Sequence, residues 1–450
     1  MAKDIGKAIE KSAPGSKKTY ERSSKVLAQE IVGTVNFSYP IYIKEAHGSR
    51  VVDVDGNEYI DLTMGFGPHI LGHAPKVVLD ALREALDRGV QWGLHNPYQE
   101  PLASLLVDAV PCADKVVFCN TGTEASMYCI RAARAFSGKS KIAMFEGGFH
   151  GAHDAVLVKV DPASPVDRPT YYTMGQGIPK ETLANTMMLP YLSDAAFDLI
   201  RKHKKDLALV MVEPVQGSNP RLDQGEFLKK LAEVCRESEV LLMFDEVITG
   251  FRMAYGGAQE FFGVTPDMAI YGKAPGGGMP LGVVAGRGDV MEVFTRQFDI
   301  YRDDRTGGPS IFTAGTFSGN PMTMAAGTAV LTYLRDHKGV YKHLAEQGTR
   351  LADEVNRFFA QEELPGQMAN ALSMFYLRVQ PGPMVRTARD IDRSMKAADD
   401  LVTLHMLQHG VLVPPVHLAY ISAAHTVKDV DTVVDAIKES FLEVRQQGHI

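Results

Sequence analysis

Six short apolar runs between residues 116 and 286 constrain the fold of this chain more than any other feature. They are VVFCN (116–120), KIAMF (141–145), LALVMVEP (207–214), VLLMFDE (240–246), DMAIYGK (267–273) and LGVVAG (281–286). Several runs are apolar throughout, which is typical of strands that helices cover on both faces of a parallel sheet. Helical stretches such as 225–238 separate some of them. The pattern predicts a doubly wound α/β domain with a mostly parallel sheet.

The segments that flank these runs predict two smaller units. Residues 51–62 contain two alternating runs around Asp55-Gly56, which indicates a hairpin, and residues 76–89 have helical spacing. After Pro321 a long helical region begins, and the tail beyond it mixes strands with helices. We therefore predict an N-terminal arm with a hairpin (1–75), a large α/β domain (76–325), and a long helix with a smaller α+β domain (326–450).

Length, charge and cysteine content exclude several classes of protein. The chain has 450 residues, too many for one compact core. Its formal net charge of −7 offers no overall basic surface for nucleic acid. No apolar run reaches membrane-spanning length, and the polar N-terminus lacks the apolar centre of a secretory signal, so we expect a cytoplasmic protein. The four cysteines form no CxxC pair, which favours buried thiols over disulfides or a metal site.

Two polar residues follow apolar strands where ligands bind in α/β folds. Asp245 comes directly after five apolar residues. A helix cap or a loop carboxylate would explain it alone, but a buried carboxylate needs a cationic partner, such as a protonated pyridine nitrogen. Val247 would face the same side and offer an apolar contact to a flat ring. Lys273 precedes the glycines 276–278 and is either a surface lysine or a desolvated nucleophile.

The segment Asn120–Glu124 lies between a predicted strand and a predicted helix. Thr121 and Glu124 have the spacing of a capping box, and the start of this helix is also an anion site that Gly122 lets a phosphate approach. Phe149 follows the strand KIAMF on a glycine-flanked loop, where it either joins the core or stacks on a ring. The segment 120–124 has the sequence of neither a GxGxxG nor a Walker loop, which argues against nucleotide binding.

Motifs along most of the chain carry a family resemblance. They are VDVDGNEYIDL, GPHILGHAPKVV, NTGTEASMYCIRAARAFSGKSKI, FEGGFHGAHD, EPVQG, FDEVITGFRMAYGGAQEFFGVTPD, GKAPGGGMPLG and GTFSGNPMTMAAG. In these motifs the chain resembles the class III aminotransferases of pyridoxal 5'-phosphate (PLP) fold type I, and most of all their glutamate-1-semialdehyde aminomutase branch. The resemblance implies a large PLP-binding domain, a smaller C-terminal domain, and a homodimer with active sites at its interface.

The resemblance also implies roles for matching residues. Lys273 would hold PLP as a Schiff base and move the substrate proton, and Asp245 would bind the pyridine nitrogen. Val247 and Phe149 would cover the two faces of the ring. The other implied cofactor-binding residues are Thr121, Gly122, Thr123, His150, Glu213 and Thr316.

Three of these residues concern the phosphate. Gly122 and Thr123 would hold it from within the same chain. Thr316, in GTFSGNP, would contact it from the neighbouring subunit.

The N-terminal arm departs from the aminomutase pattern. The branch carries an arginine upstream of the proline that matches Pro40, and this arginine binds the substrate carboxylate, whereas Glu30 or Ile31 occupies the place here. The C-terminal glutamate linked to gating is not evident either, and His417 lies nearby. An arginine can bind a carboxylate through two parallel hydrogen bonds, so its loss would change substrate binding strongly. We therefore expect an aminotransferase that passes an amino group from an amino acid or amine to a keto acid.

Carboxylate recognition then needs other residues, for which the C-terminal region offers the candidates Arg378, Arg386 and Arg389. We expect His417 to be structural.

Three interpretations remain open. The first is an aminotransferase, and the second is an aminomutase with the same cofactor site. The third is a different class, either a non-catalytic PLP-binding protein or an NAD-type oxidoreductase. The oxidoreductase lacks GxGxxG after its first strand, and a non-catalytic binder should have lost Lys273 or Asp245, both of which are present.

Overall fold

A seven-stranded sheet forms the centre of the chain, for which a computed structural model describes residues 2–28, 40–295, 308–414 and 418–450. The strands are β1 (Ile43–His47), β2 (Arg50–Asp53), β3 (Glu58–Asp61), β4 (Lys115–Cys119), β5 (Lys141–Phe145), β6 (Val158–Val160), β7 (Tyr171–Thr173), β8 (Thr186–Leu189), β9 (Leu207–Val212), β10 (Leu241–Asp245), β11 (Met268–Gly272), β12 (Gly282–Gly286), β13 (Gly366–Ala371), β14 (Met374–Val379), β15 (Val411–Leu412) and β16 (Ala419–Tyr420). The helices are α1 (Ala2–Ser12), α2 (Pro14–Ser23), α3 (Lys76–Leu86), α4 (Gln99–Ala109), α5 (Gly122–Ser137), α6 (Asp194–His203), α7 (Gly225–Glu237), α8 (Gly257–Phe262), α9 (Gly288–Thr295), α10 (Pro321–Asp336), α11 (Gly339–Gln361), α12 (Lys396–Gln408) and α13 (Val427–Gln446).

The central sheet has the strand order β4-β12-β11-β10-β9-β5-β8. The five strands from β11 to β8 run parallel, and β12 is antiparallel to both of its neighbours. Both faces are buried: in β9, Val210 and Val212 pack into one apolar core, while Leu209 and Met211 pack into the other. This confirms the predicted α/β fold, in which continuous apolar runs become strands that helices cover on both sides.

The N-terminal hairpin joins a strand from the far end of the chain. β2 and β3 pair around the predicted Asp55-Gly56 turn, where the Asp53 carboxylate accepts the N–H groups of Asp55 and Asn57 at 2.9 and 2.8 Å. β15 pairs with β3 in parallel, in the sheet β1-β2-β3-β15. The sequence predicts the C-terminal strands only as part of the smaller α+β unit, so the pairing of β15 with the N-terminal hairpin differs from the prediction. Helices α1 and α2 in the arm were not predicted, and the three domain ranges stay predictions.

The remaining sheets are small, with the order β13-β14-β16 in the C-terminal region and a β6-β7 hairpin. Cys112, Cys119, Cys129 and Cys235 are all buried and unpaired, as expected. Within the described ranges, no helix combines the length and the apolar character that crossing a bilayer would require.

Candidate active site

The carboxyl ends of three adjacent parallel strands open into a cavity of about 520 Å³. Glu213 follows β9, Asp245 ends β10 and Lys273 follows β11, so the sheet brings these three side chains together. The cavity is lined by these residues and by Gly122, Thr123, Gly147, Phe149, His150, Gly151, Gly217, Ser218, Val247, Ile248, Tyr376 and Leu418.

The buried carboxylate of Asp245 already has two partners. Its Oδ1 accepts the N–H of Val247 at 3.1 Å, and its Oδ2 lies 2.8 Å from Nδ1 of His150. Burial alone would lower the pKa of His150, but the hydrogen bond and charge of Asp245, with the charge of Glu213, raise this pKa overall. The pair fixes the carboxylate at the cavity wall, where its remaining lone pairs can accept from a further cationic donor.

Glu213 ties two cavity loops together. Its Oε1 accepts the N–H of Phe149 at 2.7 Å, and its Oε2 accepts the N–H of Gly217 at 2.9 Å. Burial raises the pKa of Glu213 to about 7, against the opposing effect of His150 and these two hydrogen bonds. Near neutral pH the side chain is therefore divided between its neutral and charged forms, and its hydrogen bonds hold the loop that carries Phe149.

Lys273 leaves β11 in a backbone conformation that few non-glycine residues adopt, with φ +57° and ψ −104°. Such strain costs roughly 1–3 kcal/mol and persists where the surrounding structure fixes it, often at active sites. Gly277 and Gly278 follow with φ of +59° and +94°, as predicted for this loop. Burial lowers the pKa of Lys273 to about 8, although Glu213 and Asp245 act in the other direction. A neutral amine, which a nucleophile requires, is thus accessible near physiological pH.

Helix α5 begins at the cavity with a cap that differs in one detail from the prediction. Thr121 accepts the N–H of Glu124 at 3.1 Å, as a capping box requires. The Glu124 carboxylate, however, accepts the N–H of Asn120 at 2.6 Å instead of that of Thr121. Gly122 and Thr123, which open the helix, line the cavity, and N–H groups in the first turn have no partner within the helix. The cavity therefore has an anion-binding end.

Gly122 is required by packing as well as by ligand approach. A Cβ at this position would lie 3.0 Å from Cγ2 of Val247, a tighter contact than most real Cβ atoms make. The start of α5 thus rests directly on Val247, which lines the same cavity as Asp245.

Two predicted residues lie outside the cavity lining. Thr121 acts as the α5 cap, and Thr316 sits on an exposed loop where its carbonyl accepts from the Gln91 amide. Phe149 does line the cavity, and the residue is 62% exposed in the single chain. Its ring stacking and the contact of Thr316 with a neighbouring subunit stay predictions. Glu30, Ile31 and His417 lie outside the described residues.

The three candidate arginines differ in their surroundings. Arg389 forms a two-point ion pair with Glu146, with Nη2 and Oε1 2.7 Å apart. Arg386 is exposed and lies 3.7 Å from Asp223. Arg389 is therefore committed to Glu146, and neither arginine lines the cavity, which argues against the predicted role in substrate binding. Arg378 is buried and differs from both.

The sequence did not reveal several cavity residues. Ile248 lies within a recognised motif and Ser218 directly follows one, but the sequence assigned neither a role in the site. Tyr376 and Leu418 come from the C-terminal region, more than a hundred residues from Lys273 along the chain, and no local pattern marks them. The pairing of His150 with Asp245 was also missed, because it joins residues 95 positions apart.

The residues present fit PLP. A carboxylate at one wall suits a pyridinium nitrogen, an amine lies at the end of the next strand, and a helix start suits a phosphate. His150 Nε2 is buried with no hydrogen-bond partner in the described part of the chain, which leaves a polar atom that a bound group can satisfy. The volume lies within the range of small-molecule sites.

Comparison with known proteins agrees with this geometry. A family model described as class III aminotransferase matches residues 32–441. The glutamate-1-semialdehyde 2,1-aminomutase of Methanococcoides burtonii is 38% identical over 428 residues, which cover 94% of this chain and 97% of that protein.

Solved structures show the same architecture. An ω-transaminase from Sphaerobacter thermophilus has a TM-score of 0.86 and 31% identity, with 96% of this chain and 98% of that chain covered. A β-phenylalanine aminotransferase from Variovorax paradoxus has a TM-score of 0.85 and 30% identity, with 97% and 95% covered. These similarities confirm PLP fold type I.

Proposed function

The chain belongs to the class III aminotransferase family, and from this premise we propose that it moves amino groups in the cavity between Asp245 and Lys273. It is a PLP-dependent enzyme that acts on small molecules. One observation carries the proposal. Asp245 ends β10, Lys273 directly follows the adjacent parallel strand β11, and both side chains line one cavity. Two residues that act on one bound cofactor must lie in the same cavity.

Each residue of the cavity would have a separate role in the reaction. When bound, PLP supplies an electron sink that acidifies the proton on the amine-bearing carbon. Lys273 would take this proton at Nζ and return it, because burial lowers its pKa to about 8 and makes the neutral amine accessible. Asp245 would bind the ring nitrogen and hold a proton on it, with His150 fixing the carboxylate from behind. Gly122 and Thr123 would bind the phosphate.

Intramolecular transfer is the first reaction to test. The curated relative at 38% identity is named glutamate-1-semialdehyde 2,1-aminomutase, and its match covers nearly the whole of both chains. This supports the aminomutase alternative better than the aminotransferase that we preferred from the sequence. In such a reaction Lys273 would return the proton within one bound molecule, and no second carbonyl substrate is needed.

Intermolecular transfer to a keto acid is the second candidate. It is supported by the two transaminase structures, at 31% and 30% identity. The apolar side chains of Ile248 and Leu418 in the cavity suit a substrate with an apolar part.

One experiment separates the two candidates. The cofactor-loaded enzyme is given glutamate-1-semialdehyde alone, and in parallel a panel of amines and amino acids with pyruvate or 2-oxoglutarate. Isomerisation without an acceptor supports the aminomutase, and stoichiometric exchange with the keto acid supports the aminotransferase. Lys273→Ala should bind PLP but catalyse neither reaction. Lys139→Ala should behave as wild type, because it removes a half-buried lysine whose Nζ donates to the Glu239 carbonyl, outside the cavity lining. Turnover by Lys273→Ala would refute the assignment.

A homodimer with a shared site is the expected assembly. The loop that carries Thr316 also exposes Phe317, which is 60% accessible, and Gln91 links it to the loop of Leu94, which is 77% accessible. Exposed apolar side chains on adjoining loops are typical of an interface. Light scattering should therefore give twice the chain mass. Leu94→Asp with Phe317→Asp should give a monomer that binds PLP weakly, and a tightly binding monomer would contradict the shared site.

A further inference from the structure

The loop that follows β5 lies directly against the start of α5, at the anion-binding end of the cavity. Gly151 has φ +109°, and a Cβ on this residue would lie 2.9 Å from both Cα and Oγ1 of Thr123. The N–H of Ala152 donates to Thr123 Oγ1 at 3.2 Å. In this contact the hydroxyl oxygen is the acceptor, so the hydroxyl proton is left for an acceptor in the cavity that Thr123 lines.

His153 and Ser126 form a second link between the same loop and the same helix. The hydroxyl of Ser126, which is fully buried, lies 3.0 Å from the Thr123 carbonyl and 3.0 Å from His153 Nε2. Burial lowers the pKa of His153 to about 4, so the imidazole is neutral near pH 7 and has one N–H. Because the single proton of Ser126 goes to the carbonyl, the imidazole is the donor to Ser126.

This second link does more than satisfy a buried hydroxyl, because the Thr123 carbonyl alone already gives Ser126 a partner. Neither Ser126 nor His153 lines the cavity, so their effect on a ligand must pass through Thr123. The same loop also reaches the other end of the site, where His150 lies 2.8 Å from the Asp245 carboxylate. The loop therefore connects the carboxylate to the helix start, the two ends that one cofactor must bridge.

We propose that His153 is a positioning residue for phosphate recognition, which acts through Ser126 to hold Thr123 where its hydroxyl and N–H can donate to the phosphate of PLP. The inference rests on the phosphate position in the proposed function and adds two residues outside the cavity lining. Asp245 and Lys273 bind the ring nitrogen and the aldehyde elsewhere in the cavity. Loss of the His153 N–H should therefore weaken the grip on the phosphate and leave the ring contacts as they are.

The test compares PLP with pyridoxal, which has the same ring and aldehyde but no phosphate. Absorbance titrations of the apo chain give the affinity of the wild type and of His153→Leu for each ligand. His153→Leu should weaken PLP binding roughly 2- to 12-fold, the range for one lost neutral hydrogen bond, and leave pyridoxal binding unchanged. His153→Gln keeps an N–H donor and should regain most of the PLP affinity. The control His203→Leu changes a half-buried histidine at the end of α6, outside the cavity lining, and should change neither affinity.

Ser126→Ala tests the path of the effect. It removes the middle of the link and should weaken PLP binding selectively, as His153→Leu does. The double variant should bind PLP no more weakly than the more affected single variant, because both substitutions break one link. If His153→Leu does not fold, Ser126→Ala removes only one oxygen atom and carries the same expectation.

Three results would overturn the inference: an equal loss of affinity for PLP and pyridoxal, unchanged affinity for both, or additive effects of the two substitutions. The binding assay does not depend on turnover. A wild type and variants that bind as expected but a wild type that transfers no amino group would therefore refute the proposed function and leave the inference standing.

Discussion

Replacing Asp245 with asparagine keeps the shape of the side chain and removes its charge. In the wild type this carboxylate lies 2.8 Å from Nδ1 of His150 and is the buried anion that would hold a proton on the cofactor's ring nitrogen. Without it, the hydrogen bond and the charge that raise the pKa of His150 are lost, so this pKa falls. The site then loses the anion with which a protonated ring nitrogen would pair.

The size of the effect follows from burial. The side chains of His150 and Asp245 are 1% and 5% exposed, so water screens the pair poorly. At this separation and an effective dielectric constant of about 20, two unit charges attract by about 6 kcal/mol, from which desolvation must be subtracted. Removing one partner of a buried pair costs roughly 3–5 kcal/mol. If the interaction of the carboxylate with the ring nitrogen stabilises the transition state by a similar free energy, its loss lowers kcat/KM by about 10²- to 10⁴-fold.

Steady-state kinetics of Asp245→Asn measure this loss. The matched control is Asp289→Asn, because the Asp289 carboxylate is 55% exposed and pairs with Arg287 outside the cavity. We expect the control to match the wild type, and Asp245→Asn to be slow even when saturated with PLP. A saturated Asp245→Asn enzyme with nearly wild-type kcat/KM would show that the carboxylate does not control the ring nitrogen.

Three further outcomes follow from the cavity. The rate at which the apo chain takes up PLP should rise with pH and level off above about 8, because burial lowers the Lys273 pKa to about 8 and the neutral amine reacts. The rate is followed by stopped-flow absorbance, and a rate that still rises well beyond this pH would indicate an ordinary lysine. Glu213 has a pKa of about 7 when folded against about 4.3 unfolded, so its contribution to stability is full below about pH 4.3 and is lost as the pH rises through about 7. Glu213→Gln should therefore raise Tm relative to the wild type more at about pH 8 than at about pH 5, and an equal change at both would contradict the shift. Gly122→Ala should weaken PLP binding in an absorbance titration, because its Cβ would meet Val247 at 3.0 Å, and adding Val247→Ala should restore affinity; no rescue would mean that the clash is not the cause.

The central sheet could be predicted because burial on both faces leaves a direct trace in the sequence. All six apolar runs became strands, and Asp245 and Lys273 stood out as polar residues at their ends. The edge strand β8 was missed, since Thr186–Leu189 is short and follows no clear turn signal. The antiparallel direction of β12 is likewise not encoded in its apolar run.

Local sequence patterns could not predict contacts between residues that lie far apart along the chain. His150 pairs with Asp245, and Tyr376 joins the cavity from a strand in the C-terminal region. That Arg378 forms no ion pair among the described residues is also a property of the folded chain. By sequence it resembled Arg386 and Arg389, and only packing separates an unpaired arginine from two that are paired.

Borohydride reduction of the PLP-loaded wild type, followed by mass mapping of its peptides, tests most directly whether the residue after β11 carries the cofactor. We predict that the added cofactor mass appears on the peptide that contains Lys273. A fully loaded enzyme whose reduced cofactor maps to a different lysine, or is released unattached, would contradict the account.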